Sequence, residues 1–598
     1  MSAVDVQLTA VDARSGRSAD VVLVVEKDST VADAARALRG ALGLPGAGAV
    51  EGLGPAGAEV WIAGRPVDPS LPMTVSPLRE GAVVGLGGPV GLGVHDPDVG
   101  GVAEVRIVGG PDAGRVHRLP LGEFVFGSAH DAEAYVADGS VAPRQARLLV
   151  TPQEVRWTSY EGVPEATVEG RALSEPRALQ PGQVVAVGTT RLTVVPAEAP
   201  DAALVPSEDG GLAYNRPPRL PPAPASVTVE MPAEPTDGQK RPIPLLASLA
   251  PVVLGVAMFA ITKSPMFLLF TLLSPVLMLS SWLTERKQGK RSYRQQLADY
   301  KRDLAKARKE VTEAARWERR MRRHDAPDPA TVLVTALGPR RRLWERRRWD
   351  SDRLLLRVGT ARLRSSMELT GGNPKDRPEQ PMLPDVPVTV PLMEAGGVLG
   401  VAGPPREVHA TARWLVAQAA VLHSPRDLSI MVLTDQSGRA DWEWTRWLPH
   451  TRPDNREAVS LTGSSAATTA RRVSELAGMV QQRQTMADAA GRAFDLGRVP
   501  VVLVVLDGAR QLRSLPGMPI VLQDGPAVGI FAICLDAEER LLPEECRVVA
   551  SYQPGEPVGM TVRRAFGDRI PGVLADQVSV AWCERVARAM TAVRDVSR

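Results

Sequence analysis

The sequence predicts a multidomain chain. Small β-rich modules precede a two-helix transmembrane hairpin, a helical stalk and a parallel α/β sheet. Three observations predict this. Two uncharged apolar runs, residues 243–261 and 266–283, are separated only by Thr262, Lys263, Ser264 and Pro265. Residues 101–196 carry strand patterns between Gly, Pro and Asp turns, with no helical period. From residue 386 onward, β-branched runs alternate with helical ones, the order of a doubly wound sheet.

Composition sets the bounds. A length of 598 residues gives room for about four domains. A formal charge of +3 excludes a chain-wide nucleic-acid footprint, so any basic region must be local. Cys534, Cys546 and Cys583 match no zinc spacing and are expected as reduced thiols. No metal site is expected. The N-terminus lacks the basic-then-apolar order of a signal peptide.

The hairpin is assigned to residues 242–283. Each apolar run is near the ~20 residues that a helix needs to cross a ~30 Å hydrocarbon core. Lys240 and Arg241 precede the first run, and Arg286, Lys287, Lys290 and Arg291 follow the second. The positive-inside rule then puts both termini in the cytoplasm of a two-span protein of the cell membrane.

Residues 1–92 read strand, strand, helix, strand, strand. Ser29 or Thr30 caps a helix that runs to Leu42. The order resembles a ubiquitin-like β-grasp, such as those found in type VII secretion systems, and implies an interaction module. Residues 101–196 contain FVFGSA, SVAPRQARL, TSYEG and LQPGQVVAVGTTRLTV. These stretches resemble a forkhead-associated (FHA) domain, a β-sandwich that binds phosphothreonine through its loops. The matching positions are Gly127, Ser128, Arg144 and Gln145, and the set is degenerate. Ser128 stands where the family has Arg, Ala142 where it has Ser, Gln145 where it has His, and Glu161 where it has Asn. Phosphate recognition needs guanidinium and short donor groups, so the site is read as inactive.

Residues 197–241 are dense in Pro and are read as a semi-rigid tether. YNRPPRLPPAP within them is a candidate ligand for an SH3-like partner. Residues 284–325 form a charged helical stalk with a heptad seam at Tyr293, Leu297, Tyr300, Leu304, Ala307, Val311 and Ala314. Residues 326–385 are a basic collar. Arg340, Arg341, Arg342, Arg346, Arg347 and Arg348 flank Trp344 and Trp349 there, a pattern that fits either nucleic acid or acidic neighbours.

The order of double span, charged helix, PDP and LWERRRWDSDRLLLRVG resembles the membrane-proximal part of EssC/EccC. That family comprises the FtsK/SpoIIIE-type ATPases of type VII secretion. The resemblance runs from about Tyr214 to the end, and FHA modules ahead of the spans fit it.

Residues 386–598 are expected to be a degenerate ATPase-like α/β domain. A working P-loop reads GxxxxGK[ST], in which Lys reaches the phosphates and the hydroxyl binds magnesium. Here the loop runs from Gly400 through Gly403 to Arg406, with two prolines and neither Lys nor Ser/Thr. Asp507 ends a Walker-B-like strand, but Gly508 follows where a catalytic acid is expected. No catalytic residue is assigned.

The resemblance implies an anchoring, regulatory part of a protein-export ATPase, with ATP and magnesium held by modules outside this chain. Implied partners are the membrane, other secretion components, secreted substrates and further copies of the chain. DNA is not expected. A membrane component of an FtsK-class DNA translocase and a tethered FHA scaffold are the alternatives.

Overall fold

The computed structural model describes residues 4–26, 29–43, 60–90, 100–207, 210–219, 227–235, 245–263, 266–372, 379–452, 461–491, 495–565 and 567–597. The side chains of residues 245–251, 266–279, 281–283 and 285–292 lie outside the described set. The chain forms two compact units. One comprises Met1–Pro221, Arg322–Arg362 and Pro384–Arg598; the other comprises Pro222–Met321 and Leu363–Leu383.

The first module has β1 (Val4–Asp12), β2 (Ser18–Val25), α1 (Val31–Ala41), β3 (Val60–Ile62), β4 (Arg65–Pro66) and β5 (Val83–Leu86). Its mixed sheet runs β2-β1-β5-β3-β4. Thr30 caps α1 in a reciprocal capping box with Asp33, satisfying two otherwise orphaned amides. Ala34, Ala35 and Leu38 of α1 pack on Leu8, Ala10 and Val84 of the sheet.

The second module is all-β. Its strands are β6 (Ala103–Gly109), β7 (Val116–Leu119), β8 (Gly122–Gly127), β9 (Ala134–Tyr135), β10 (Ala146–Val150) and β11 (Val155–Ser159). They continue as β12 (Ala166–Val168), β13 (Arg171–Ala172), β14 (Arg177–Leu179), β15 (Val184–Val187) and β16 (Thr190–Pro196). Two sheets, β14-β11-β10-β8-β9 and β13-β12-β15-β16-β6-β7, enclose a core centred on Phe126 and Trp157. Burial alternates perfectly along β10, as one buried face requires.

The Pro-rich segment is not a bland tether throughout. β17 (Leu204–Pro206) and β18 (Leu212–Tyr214) form a hairpin, and β18 pairs in parallel with residues 593–595. Tyr214 is fully buried, so an external SH3-like partner cannot read it.

The second unit holds β19 (Thr228–Met231), α2 (Leu245–Thr262) and most of α3 (Met266–Asp325). Here the expected transmembrane hairpin is corrected. Among the described residues, no helix is long and apolar enough to cross a membrane. α2 has only 18 residues. The second apolar run is not a separate span; it continues unbroken into the charged stalk as one 60-residue helix. Many side chains of both runs lie outside the described set. The predicted orientation of the termini loses its basis with the hairpin.

Two residues of the stalk seam, Val311 and Ala314, find a partner within the chain. After α4 (Pro329–Leu337) and β20 (Leu355–Arg364), β21 (Glu368–Gly371) pairs in parallel with β19. Val229, Met367 and Leu369 of this ribbon pack on Val311, Ala314 and Ala315 of α3.

The remaining elements build one large sheet and its flanking helices, except that the last strand pairs with β18 in a separate sheet of three. They are β22 (Met382–Pro391), β23 (Val398–Ala402), α5 (Pro405–Leu422), β24 (Leu428–Leu433), α6 (Arg439–Trp442), β25 (Thr462–Gly463) and α7 (Ala466–Ala490). After them come β26 (Val501–Asp507), α8 (Ala509–Arg513), α9 (Met518–Asp524), β27 (Ile530–Asp536), β28 (Val548–Tyr552), β29 (Gly559–Arg563), β30 (Arg569–Ala575), α10 (Val580–Thr591) and β31 (Val593–Asp595). The order is β22-β20-β30-β29-β28-β23-β27-β26-β24-β25. From β28 to β25 the pairings are parallel, and β28, β29 and β30 pair antiparallel. β20 and β22, from the region expected to be a separate collar, belong to this sheet. The boundary drawn at residue 385 falls inside β22.

Most of the collar arginines are engaged within the chain. Arg342 pairs with Glu345 at 2.7 Å, fully buried Arg346 with Asp352 at 3.2 Å, and Arg348 with Asp427. Arg340 donates to the carbonyls of Glu198 and Ala199. Trp344 is buried, whereas Trp349 is 77% exposed.

One buried guanidinium ties the β-sandwich to the large sheet. Arg357 Nε donates to Asp576 Oδ2 at 2.7 Å, Nη2 to the Val108 carbonyl at 2.9 Å, and Nη1 to the Ala326 carbonyl at 3.3 Å. Burial pushes the Asp576 carboxyl up to about 6, against the pull of Arg357. The first module docks through Glu80, which pairs with Arg594 and Arg452.

Candidate functional site

The candidate site lies at the carboxyl ends of the parallel strands, where open α/β sheets bind ligands. A cleft of about 610 Å³ opens there, between the start of α5 and the ends of β24, β26 and β27. The structure brings Gly403, Arg406 and Asp507 to this cleft. Gly400 stands apart. It is a core residue of β23, and an added Cβ would meet Leu542 at 2.6 Å and the Cys546 sulfur at 3.3 Å. The phosphate-type loop is therefore shorter than the sequence suggests, because Gly400, Val401 and Ala402 all belong to the strand.

Gly403 has φ 146°, and the Tyr552 side chain fills the space a Cβ would need. Pro404 then takes the N-cap position of α5 without a side-chain cap, and Pro405 is the first helical residue. Two amides that would cradle a phosphate are thereby absent. Arg406 is exposed on the first turn.

Asp507 is held by groups that sequence reasoning did not single out. His409 Nε2 lies 2.9 Å from Asp507 Oδ1, while Thr434 Oγ1 donates to Oδ2 at 2.8 Å and Trp442 Nε1 donates to it at 3.0 Å. On its other side, His409 Nδ1 lies 3.3 Å from Asp441 Oδ2, and Arg413 pairs with Asp441 at 2.5 Å. Burial pushes the His409 imidazole down, but the bond to Asp507 and the charges of Asp507 and Asp441 outweigh it and hold the ring above its ordinary value. Burial pushes Asp507 up, but the His409 bond and charge, with Thr434 and Trp442, hold it below the usual carboxylate range. Both shifts share one cause, the contact between His409 and Asp507.

The neighbouring strand ends are also internally satisfied. Asp435 accepts from the Ser437 and Gly438 amides, and Asp536 accepts from the Arg510 amide. These donors do not fit a magnesium–nucleotide grip. The loop offers no ammonium and no hydroxyl, and the carboxylate at the Walker-B position already accepts from three side chains. The sequence carried one signal for this network: His409 and Arg413 are four apart, and so share a face of α5. Which strand ends that face meets depends on sheet order, which no local pattern encodes.

The FHA-type positions do gather at one end of the sandwich. Gly127 is required there, because an added Cβ would lie 2.1 Å from the Pro143 carbonyl oxygen. Ser128 Oγ donates to the Val141 carbonyl at 2.8 Å. Gln145 is buried, accepting from the Ala142 amide and donating to the Pro164 carbonyl at 2.7 Å. Arg144 is exposed and lies 3.4 Å from Asp131. Ser128 and Gln145 thus spend their polar groups on the loops themselves.

Comparison with known proteins gives this architecture a context. The family model described as the inner membrane component of the type III secretion system, cytoplasmic domain, matches residues 106–198. Over 373 residues the chain is 28% identical to the ESX-4 secretion system protein EccC4 of Mycobacterium tuberculosis, covering 57% of this chain and 29% of that protein. The chain is a homologue of the EccC-type secretion proteins. The ESX secretion system protein EccC of Thermomonospora curvata is 27% identical over 344 residues, covering 53% of this chain and 24% of that one. YukB of Bacillus subtilis is 26% identical over 249 residues. The chain matches less than a third of the length of these EccC-type relatives. Among solved structures, the cytoplasmic domain of the T. curvata type VII secretion ATPase EccC aligns with TM-score 0.30 at 18% identity, covering 42% of this chain and 32% of that one. An FHA domain from a study of phosphothreonine-dependent interactions aligns with TM-score 0.15 at 20% identity, covering 16% of this chain and 98% of that one.

Proposed function

We propose that this EccC homologue is a non-hydrolysing, ATPase-like scaffold of a type VII protein-export apparatus. The observation that carries the reading is the His409–Asp507 pair. An imidazole from the chain's own helix sits against the carboxylate that a Walker-B strand would offer to magnesium. Phosphoryl transfer depends on positioning and charge stabilisation by Lys, metal and a water-orienting group. The strand end supplies none of these in free form.

On this reading, the two N-terminal modules are adaptors for other components, and the large sheet couples them to ATP-hydrolysing modules other than the α/β domain of residues 386–598. Membrane-associated components, secreted substrates and further copies of the chain are the partners this role requires. A DNA-translocating role is disfavoured by the engagement of the collar arginines with chain carboxylates and carbonyls.

The test is magnesium-dependent ATP turnover by the full chain, with Asp507→Ala and His409→Ala as controls. No turnover above a protein-free blank is expected from any of the three. Robust turnover that Asp507→Ala abolishes would overturn the reading.

A further inference from the structure

The Pro-rich motif has a receptor within the chain. We propose that an acidic seat, formed by the turns before β20 and β24 and by the end of β31, is a recognition site for a polyproline segment bearing two arginines one turn apart, and that residues 214–219 are its resident ligand. The segment reads Tyr-Asn-Arg-Pro-Pro-Arg. Pro217 and Pro218 fix φ near −65° and favour a polyproline II helix, which repeats every three residues. Arg216 and Arg219 then project from the same side, about 9 Å apart along the axis.

Each guanidinium meets two carboxylates. Arg216 lies 2.9 Å from both Asp427 and Asp595, and Arg219 lies 2.7 Å from Asp350 and 2.6 Å from Asp352. All six side chains are less than one-fifth exposed. The backbone is gripped as well, since Arg347 donates to the carbonyls of Arg216 and Pro217. Tyr214 Oη donates to the Arg341 carbonyl at 3.1 Å, and its ring packs beside Trp344 with centroids 6.2 Å apart. Aromatic packing, carbonyl capture and fork-type ion pairs are the means by which dedicated domains read Pro-rich peptides.

The resident segment therefore works as a latch. It fastens the two N-terminal modules to the sheet, and it withholds the motif from outside readers. Asp427 and Asp352 each keep a second arginine, Arg348 and Arg346, so losing Arg216 strips the cation from Asp595 and losing Arg219 strips it from Asp350.

The experiment uses the full chain with residues 215–219 replaced by Ser-Gly-Ser-Gly-Ser, and a fluorescent peptide GLAYNRPPRLP. The emptied chain is expected to bind the peptide at least about tenfold more tightly than the intact chain does. A peptide with both arginines changed to Ala is expected to lose that binding. Equal binding to both chains, equal binding of the Ala peptide, or no binding to a folded emptied chain would each overturn the proposal. Should the emptied chain fail to fold, hydrogen exchange on Arg219→Gln replaces it. The amides of residues 212–216, 219 and 593–597 are then expected to exchange roughly tenfold faster together, with β26 unchanged. Unchanged exchange in both segments would overturn it equally.

Discussion

Asp507 ends a strand whose six preceding residues are all buried, and its carboxylate meets an imidazole, a hydroxyl and an indole. Removing the imidazole leaves a charge with only neutral donors. His409→Ala is therefore expected to destabilise the fold by about 1–3 kcal/mol, read as a lower urea midpoint with unchanged slope. The pH dependence has a definite sign. His409 is held above its ordinary value of 6.5, so its contribution is complete below pH 6.5 and fades as pH rises through the raised folded value. Asp507 is held below 3.8, so its contribution is complete above that pH and fades as pH falls through the lowered folded value. The pair thus stabilises fully between these limits, with Asp441 and Arg413 as the other charges facing it. In urea titrations across pH, His409→Gln should differ most from the parent chain between about pH 4 and 6.5 and converge toward it above.

At the scale of elements, the turn leading into α6 is as constrained as the strand. An added Cβ on Gly438 would lie 2.3 Å from Thr434 Oγ1 and 2.4 Å from Asp507 Oδ2. Both neighbours are pinned by their own bond at 2.8 Å. Gly438→Ala should cost about 1–3 kcal/mol, and a double-mutant cycle with His409→Ala should be non-additive because both changes strain the same carboxylate. Much of this architecture was legible in the sequence. The strands of residues 398–402, 428–433, 501–507 and 530–536 are short β-branched runs between turn signals, and the helix at Thr30 announces itself by its capping box. What was not legible depends on pairing between distant segments. β9, β12, β13 and β14 are two or three residues long and carry no period. β20, β22 and β30 joined a sheet whose parallel half alone was predicted. The two apolar runs were read as spans by length and lack of charge, yet the second continues into a stalk as one helix.

At the scale of the whole molecule, Arg357 is one buried tie between the sandwich and the sheet. Arg357→Met should cost about 3–5 kcal/mol, because it leaves Asp576 buried without a partner. Arg357→Met with Asp576→Leu should recover most of that loss in thermal unfolding. The residue of the loss comes from the Val108 and Ala326 carbonyls, which remain without their donor. None of this was readable in order along the chain. Arg357 and Asp576 are 219 residues apart, and nothing local marks either one.

The latch also has a place in time. β18 pairs with β31, and the Arg216 amide donates to Ser597 Oγ, 381 residues further on. A ribosome adding roughly 5–20 residues per second takes on the order of 20–75 s to cover that interval. Throughout it, the two N-terminal modules are already made, while the strand that will hold their connector does not yet exist. The connector therefore waits, extended and open to proteases, until residues 593–597 emerge. A nascent chain arrested before residue 593 should be cut within residues 212–219, and the released chain should resist the same protease there.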